Sequence, residues 1–190
     1  MIHENEETHR IAITSQRSAK NQLMAESATT PLTTEQVLRF KGLDYYPIEY
    51  KQRFEGIFST VGAGKTMTLN TTDGKSQVLT IAGSVSFEYS GKLFTLTVLR
   101  NNNLPEFANP TQKYFIPFTD LTNGSETNET GRYLPVDDPG TGNTMVVDFN
   151  RAMNPFNGYN TRLVSLLPPA INQLQMSFQS GERKFEDRLR

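Results

Sequence analysis

Through the middle of the chain, apolar and polar positions alternate with period two. Residues 54–58, 66–70, 78–81, 85–89 and 93–100 are short, rich in Val, Ile, Thr, Phe or Tyr, and bounded by turn residues. That is the pattern of half-buried strands. Asp73-Gly74 and Ser90-Gly91 mark hairpin turns, so the whole run is expected as an antiparallel meander. A loop at 101–110 follows, then strands at 114–118, at 131–134 and in the mainly apolar run 144–149. Leu174, Met176 and Phe178 alternate as a last strand. Eight or more short strands with little helix predict a mainly β fold, an antiparallel, strongly bent sheet forming a barrel-like or sandwich domain. Closure into a barrel is the favoured form, because it removes exposed strand edges.

Upstream the period changes. Residues 17–26 read as an amphipathic helix broken by Pro31, and Thr33 stands three residues before Gln36, a capping-box spacing that opens a second short helix. One or two N-terminal helices are therefore expected to lie across the sheet. Residues 1–16 are expected to be a polar tail and 17–190 a single β-rich domain, which suits a chain of 190 residues.

Composition then narrows the chemistry. Nineteen basic against 20 acidic residues give no basic excess for tracking nucleic acid. No apolar run approaches the roughly 20 residues of a membrane span. The charged first 26 residues lack the apolar centre of a secretory signal, so no membrane association and a cytoplasmic location are expected. Cysteine is absent and the histidines, His3 and His9, both fall in the expected tail. No metal site and no cofactor are expected on those grounds. Carboxylates, Arg, Lys, Tyr, Ser, Thr and Asn remain. Val61–Thr66 (VGAGKT) imitates the end of a phosphate loop, but Ser59 stands where the first glycine belongs and a strand pattern follows; it reads as a glycine-rich hairpin.

Candidate functional residues crowd the stretch 118–155. Asp120, Thr122 and Gly124 form an Asx-turn signature at a strand end, where ligand sites also lie. Arg132 and Tyr133 sit on a short strand. An inward arginine needs a carboxylate partner, and Asp148, ending the most apolar strand, is the expected one. Asn150 and Asn154 follow at the strand exit, either capping turns or orienting a ligand. The irregular stretch 154–169 is expected to wall the same pocket. Glu182 and Lys184 read most simply as part of a solvated tail.

These residues carry a family resemblance. Phe40-x-Gly42-Leu43-x-Tyr45-Tyr46-Pro47, Phe118-x-Asp120-x-Thr122-x-Gly124, Gly131-Arg132-Tyr133-Leu134 and Asp148-Phe149-Asn150-Arg151-Ala152-x-Asn154-Pro155 recur in order, closed by Pro168-Pro169, Asn172-x-Leu174 and Gly181-Glu182. From Arg17 to the tail the chain resembles the domain-of-unknown-function 1684 family of bacterial and archaeal proteins. The resemblance implies no activity. It also marks departures, since the family carries tyrosine at the position of Asn128, cysteine at Asn157 and Ser165, and glutamate at Ile171. Any shared thiol chemistry is lost here, and Asp120, Arg132, Asp148, Asn150 and Asn154 are the retained candidates.

Three functions compete. A binder of a small polar or anionic ligand would use Asp120, Arg132, Tyr133, Asp148, Asn150 and Asn154, with the arginine fork on a carboxylate or phosphate. A carboxylate-based or metal-assisted hydrolase would use Asp120 and Asp148, or one of them with Glu182. A structural or interaction module would use the polar motifs only to hold loops. The binder ranks first, because no nucleophile–base pair is legible. Self-association into a homo-oligomer stays open.

Overall fold

The computed structural model describes residues 5–107 and 111–187. His3, the end of the expected 101–110 loop and the last three residues of the tail lie outside them. Two helices, α1 (Glu6–Glu26) and α2 (Thr34–Arg39), precede seven strands among the described residues: β1 (Arg53–Thr60), β2 (Thr66–Asn70), β3 (Ser76–Tyr89), β4 (Lys92–Arg100), β5 (Tyr114–Phe118), β6 (Arg132–Val136) and β7 (Thr144–Asp148). The strands form one antiparallel sheet in the order β6-β5-β4-β3-β1-β7, with β2 on the first part of β3. It is bent into a half-barrel, mainly β as its alternation predicts.

Two details differ from the meander. Residues 78–81 and 85–89 belong to a single strand, β3, with a bulge between Ile81 and Gly83. A bulge adds a residue and sharpens the bend without ending the ladder. At this point β3 changes neighbour: before it, Ser76–Thr80 pair with β2, and beyond it Gly83–Ser86 pair with β1. Gly83 is required there, since a Cβ would stand 2.3 Å from the Ser59 carbonyl oxygen. The expected last strand does not form; residues 173–178 run irregularly, touching the sheet through a bridge from Gln173 to Thr119.

Alternation gives the sheet two apolar faces. Val85, Phe87, Leu96, Val98, Ile116, Leu134 and Val147 pack with Phe149 and Phe178 on one side. Leu79, Leu99, Phe115 and Tyr133 pack with Leu166 on the other. Burying β5 and β6 on both faces explains why they read as nearly continuous apolar runs. β4 and β5 pair only at Leu99–Phe115 and Arg100–Tyr114. Where they splay, the buried Asn172 side chain takes the place of a strand: its Oδ1 accepts from Thr97 N at 2.7 Å, and its Nδ2 donates to Thr97 O at 3.0 Å and Pro117 O at 2.9 Å.

The N-terminus departs most from expectation. α1 begins at Glu6, so residues 6–16 continue the helix rather than forming a tail. His9, Ile13, Arg17, Lys20 and Met24 fall three or four residues apart and share one face. Most of that face is polar, and it docks by pairing. His9 Nε2 lies 2.8 Å from Asp148 Oδ2, and Lys20 Nζ 2.7 Å from Glu182 Oε2. Asn21 Oδ1 accepts from Leu43 N at 2.9 Å. The capping box at Thr33 and Gln36 forms as the spacing predicts. VGAGKT leads into β2, not into a helix, but the expected hairpin does not form there: β1 and β2 each pair with β3 and not with one another. Among the described residues, no helix is long and apolar enough to cross a membrane.

Candidate functional site

Arg132 is the largest fully buried side chain among the described residues. Its partner is Asp120, not Asp148: Arg132 Nη2 donates to Asp120 Oδ2 at 3.0 Å. Asp148 is turned the other way, its Oδ2 on His9 and its Oδ1 accepting from Asn150 N and Nδ2. The correction has a geometric cause. Phe118 pairs with Arg132 across β5 and β6, and the turn that follows Phe118 brings Asp120 back to the guanidinium. The Asx turn also forms, since Thr122 N and Oγ1 both donate to Asp120 Oδ1.

The terminal nitrogens otherwise bind backbone, while Nε has no partner among the described residues. Arg132 donates to the carbonyls of Phe178 at 3.0 Å, Ser180 at 2.5 Å and Glu182 at 3.4 Å, while Asp120 Oδ2 accepts from Phe178 N. Burial pulls the guanidinium below its ordinary pKa, and the neighbouring Asp120 carboxylate acts against that. The pair therefore fixes residues 178–182 to the sheet.

That segment delivers Glu182, which is buried rather than part of a solvated tail. Its carboxylate accepts from Asn154 Nδ2 at 2.8 Å, from Lys20 and from the Tyr159 hydroxyl. Asn154 and Tyr159 thus meet at Glu182 and not at Arg132 or Asp120. Tyr133 OH donates to Leu166 O at 2.8 Å. Asn150 exchanges hydrogen bonds with the Glu49 backbone and accepts from Ser180 Oγ.

A cleft lies where the half-barrel fails to close. β6 is met on its outer edge by the strand-like residue Met153, which exchanges backbone hydrogen bonds with Tyr133 at 2.8 and 2.9 Å. α1 roofs this seam. Beneath it are an inner chamber of about 160 Å³ and an outer one of about 360 Å³, which share Gln16, Lys20, Pro135, Arg151 and Met153 as walls. Of the six residues expected at the site, Asn150 lines the inner chamber; Asp120, Arg132, Tyr133, Asp148 and Asn154 stand behind its walls.

The groups that face the cleft are ones the sequence pattern does not single out. Arg17 Nη1 donates to Tyr46 O at 2.8 Å and Nη2 lies 3.5 Å from Asn150 O; the guanidinium stacks 4.5 Å over the Tyr45 ring. Among the described residues it forms no ion pair, and its Nε and the Tyr45 hydroxyl are buried with no hydrogen-bond partner there. Burial lowers the pKa of Arg17 and raises that of Tyr45. In the outer chamber stands Glu106, 7% exposed. Its Oε1 accepts from Ser165 Oγ at 3.0 Å, its Oε2 has no partner among the described residues, and burial pushes the carboxyl above the usual carboxylate range. Asn157 N donates to Ser165 Oγ at 3.1 Å, so the two positions at which the family resemblance expects cysteine are neighbours here. No group of three metal-ligating side chains occurs among the described residues.

Fold and cleft together define the class: a mainly β, antiparallel half-barrel with a helix laid along its open seam. The chain belongs to the protein family of unknown function DUF1684, which it matches over residues 38–183. It is also similar to an uncharacterized protein from gene locus rrnAC0354 of Haloarcula marismortui, solved in solution by NMR, with a TM-score of 0.72 and 26% identity over 93% of this chain and 95% of that one. No curated protein matches it. The family match contains Tyr45, Glu106, Asn150 and Glu182, whereas Arg17 and Lys20 come from the helix upstream of it.

Two outcomes follow from this geometry. Arg132→Ala and Asp120→Ala should each cost about 3–5 kcal/mol in urea denaturation, and the double variant clearly less than the sum, because removing one partner strands the other charge; additive losses would contradict the pairing. Glu106, its pKa raised in the folded state, contributes stability that is complete below the ordinary glutamate value of about 4.3 and is lost as pH rises through the folded value. Glu106→Gln should therefore gain stability relative to the unaltered protein as pH increases across that window. A flat or opposite trend in denaturation midpoints would exclude a perturbed carboxyl.

Proposed function

We propose that the protein binds a small anionic molecule in the cleft beneath α1. The observation that carries this reading is Arg17: a half-buried guanidinium with carbonyl partners only, beside a buried Tyr45 hydroxyl, at the wall of a chamber. Buried donors without an acceptor are costly, about 1–3 kcal/mol each, and more where the group is charged. An anion supplies what both lack. Lys20 adds a second cation, offset by Glu182, while Arg151 is already taken by Asp137 at 2.9 Å. The positive end of the cleft is thus Arg17. Pro135, Met153 and Ile13 line the chamber beside it, and apolar surroundings strengthen a charged hydrogen bond.

Thermal denaturation with a panel of carboxylates, phosphate and sulfate tests the proposal. A ligand at one hundred times its Kd stabilises by about 2.7 kcal/mol, a rise of roughly 5–10 °C for a domain of this size. At least one anion should produce such a rise, and Arg17→Gln should remove it, the comparison being the ligand-induced shift rather than the starting melting temperature. A shift that survives Arg17→Gln would place the anion elsewhere.

A further inference from the structure

The cleft carries a second unpaired group of opposite character. Glu106 Oε2 is a buried acceptor without a donor among the described residues, and Glu106 lines the outer chamber together with apolar side chains of Leu23, Met24, Phe107 and Phe156. Its other oxygen is held by Ser165, which fixes the orientation of the carboxyl. Unpaired donors therefore mark the inner chamber and an unpaired acceptor marks the outer one, where apolar side chains surround it; the wall the two share carries Gln16, Lys20, Pro135, Arg151 and Met153.

We propose that the ligand is an extended zwitterion with an apolar body, its carboxylate on Arg17 and its ammonium on Glu106. This rests on the anion-binding reading above and names the chemical class of the molecule. The length follows from α1, which lines both chambers. Its inner-chamber residues run from Ile13 to Lys20 and its outer-chamber residues from Gln16 to Met24. Their midpoints are about 3.5 residues apart, or roughly 5 Å at 1.5 Å per residue. A free α-amino acid, with its two charges on one carbon, is too short to reach both chambers. Two extended residues span about 7 Å, so a dipeptide with free termini and apolar side chains covers that offset. A straight-chain ω-amino acid shares the two charged ends but leaves much of the outer chamber unfilled. An ammonium arriving at Glu106 favours the ionised carboxylate that burial alone disfavours.

Titration calorimetry near neutral pH with four probes tests this: Leu-Leu, N-acetyl-Leu-Leu, Leu-Leu amide and ε-aminocaproate. On the unaltered protein, Leu-Leu should bind at least about tenfold tighter than either capped form, equivalent to about 1.4 kcal/mol. In Glu106→Gln the penalty for acetylation should vanish while the penalty for amidation remains; Arg17→Gln should do the reverse. ε-Aminocaproate should bind more weakly than Leu-Leu but follow the same two variants, and the opposite ranking would assign the site to the ω-amino acid and overturn the peptide assignment. Equal affinity for Leu-Leu and its acetylated form would overturn the zwitterion while leaving the anion reading intact. Loss of every response to Arg17→Gln would remove both. The free and capped probes are compared on the unaltered protein, so that comparison stands whether or not the variants fold.

Discussion

A guanidinium inside a β-sheet core is costly to desolvate, and Arg132 offsets that cost through its two terminal nitrogens, its Nε having no partner among the described residues. Asp120 supplies the charge, and the carbonyls of Phe178, Ser180 and Glu182 take donors of the same guanidinium. The consequence is topological. A half-barrel leaves an open seam between β6 and the chain beyond β7, and Arg132, on β6, pins the C-terminal segment across it. Residues 173–178 form no strand, and isolated bridges hold the segment at its two ends, Gln173 on Thr119 and Glu182 on Tyr45. The buried ion pair fixes the stretch between them.

Everything at the cleft hangs from that segment. Glu182, set by the Arg132 contact to its own carbonyl, gathers Asn154, Tyr159 and Lys20. Lys20 fixes the middle of α1, and the His9–Asp148 pair fixes its start. With both points held, Arg17 has to face the inner chamber at a position where neighbouring carboxylates are already engaged: Glu182 by Lys20, Asp148 by His9. The helix is thus held by the His9–Asp148 hydrogen bond on one side and the Lys20–Glu182 ion pair on the other of a cation that forms no ion pair among the described residues. The acidic residue facing the outer chamber is Glu106, delivered by the loop after β4.

Much of the fold is legible in the sequence because half-buried strands announce themselves by alternation. β2, β5 and β7 fall where the pattern puts them, and Ser90-Gly91 makes its hairpin with both residues at positive φ. The bulge in β3 is not legible, since Ala82-Gly83-Ser84 has the composition of a turn. α1 is underestimated for a different reason. Its inward face carries the half-buried Arg17 and Lys20 beside buried His9, Ile13 and Met24, and the polar three read as solvated until their partners, 139 and 162 residues away for His9 and Lys20, are known.

Site residues divide along the same line. Asp120, Arg132, Asp148, Asn150 and Asn154 stand out because polar residues interrupt apolar runs, and all five are buried. That signal detects a polar frame; it does not separate frame from binding surface, and four of the five stand behind the cavity wall. Asp148 is the natural partner for Arg132 by strand position, yet Asp120 reaches it through a turn. Glu182 reads as tail because Gly181 and the following charges imitate a frayed terminus, although Gly181 packs its backbone against Phe149 and Ala152.

The claim on which the functional reading turns is that Arg17 faces an anion under α1, and nitrogen NMR of the arginine side chains addresses it directly. On adding a carboxylate that stabilises the protein, the Arg17 Nε–H resonance should move and exchange more slowly with water, together with backbone amides of α1, Met153 and Glu182, while the backbone amides of the exposed Lys65 and Lys75, in the turns on either side of β2, stay unchanged. Unmoved Arg17, with perturbations centred on those exposed turns instead, would contradict a binding site in the seam.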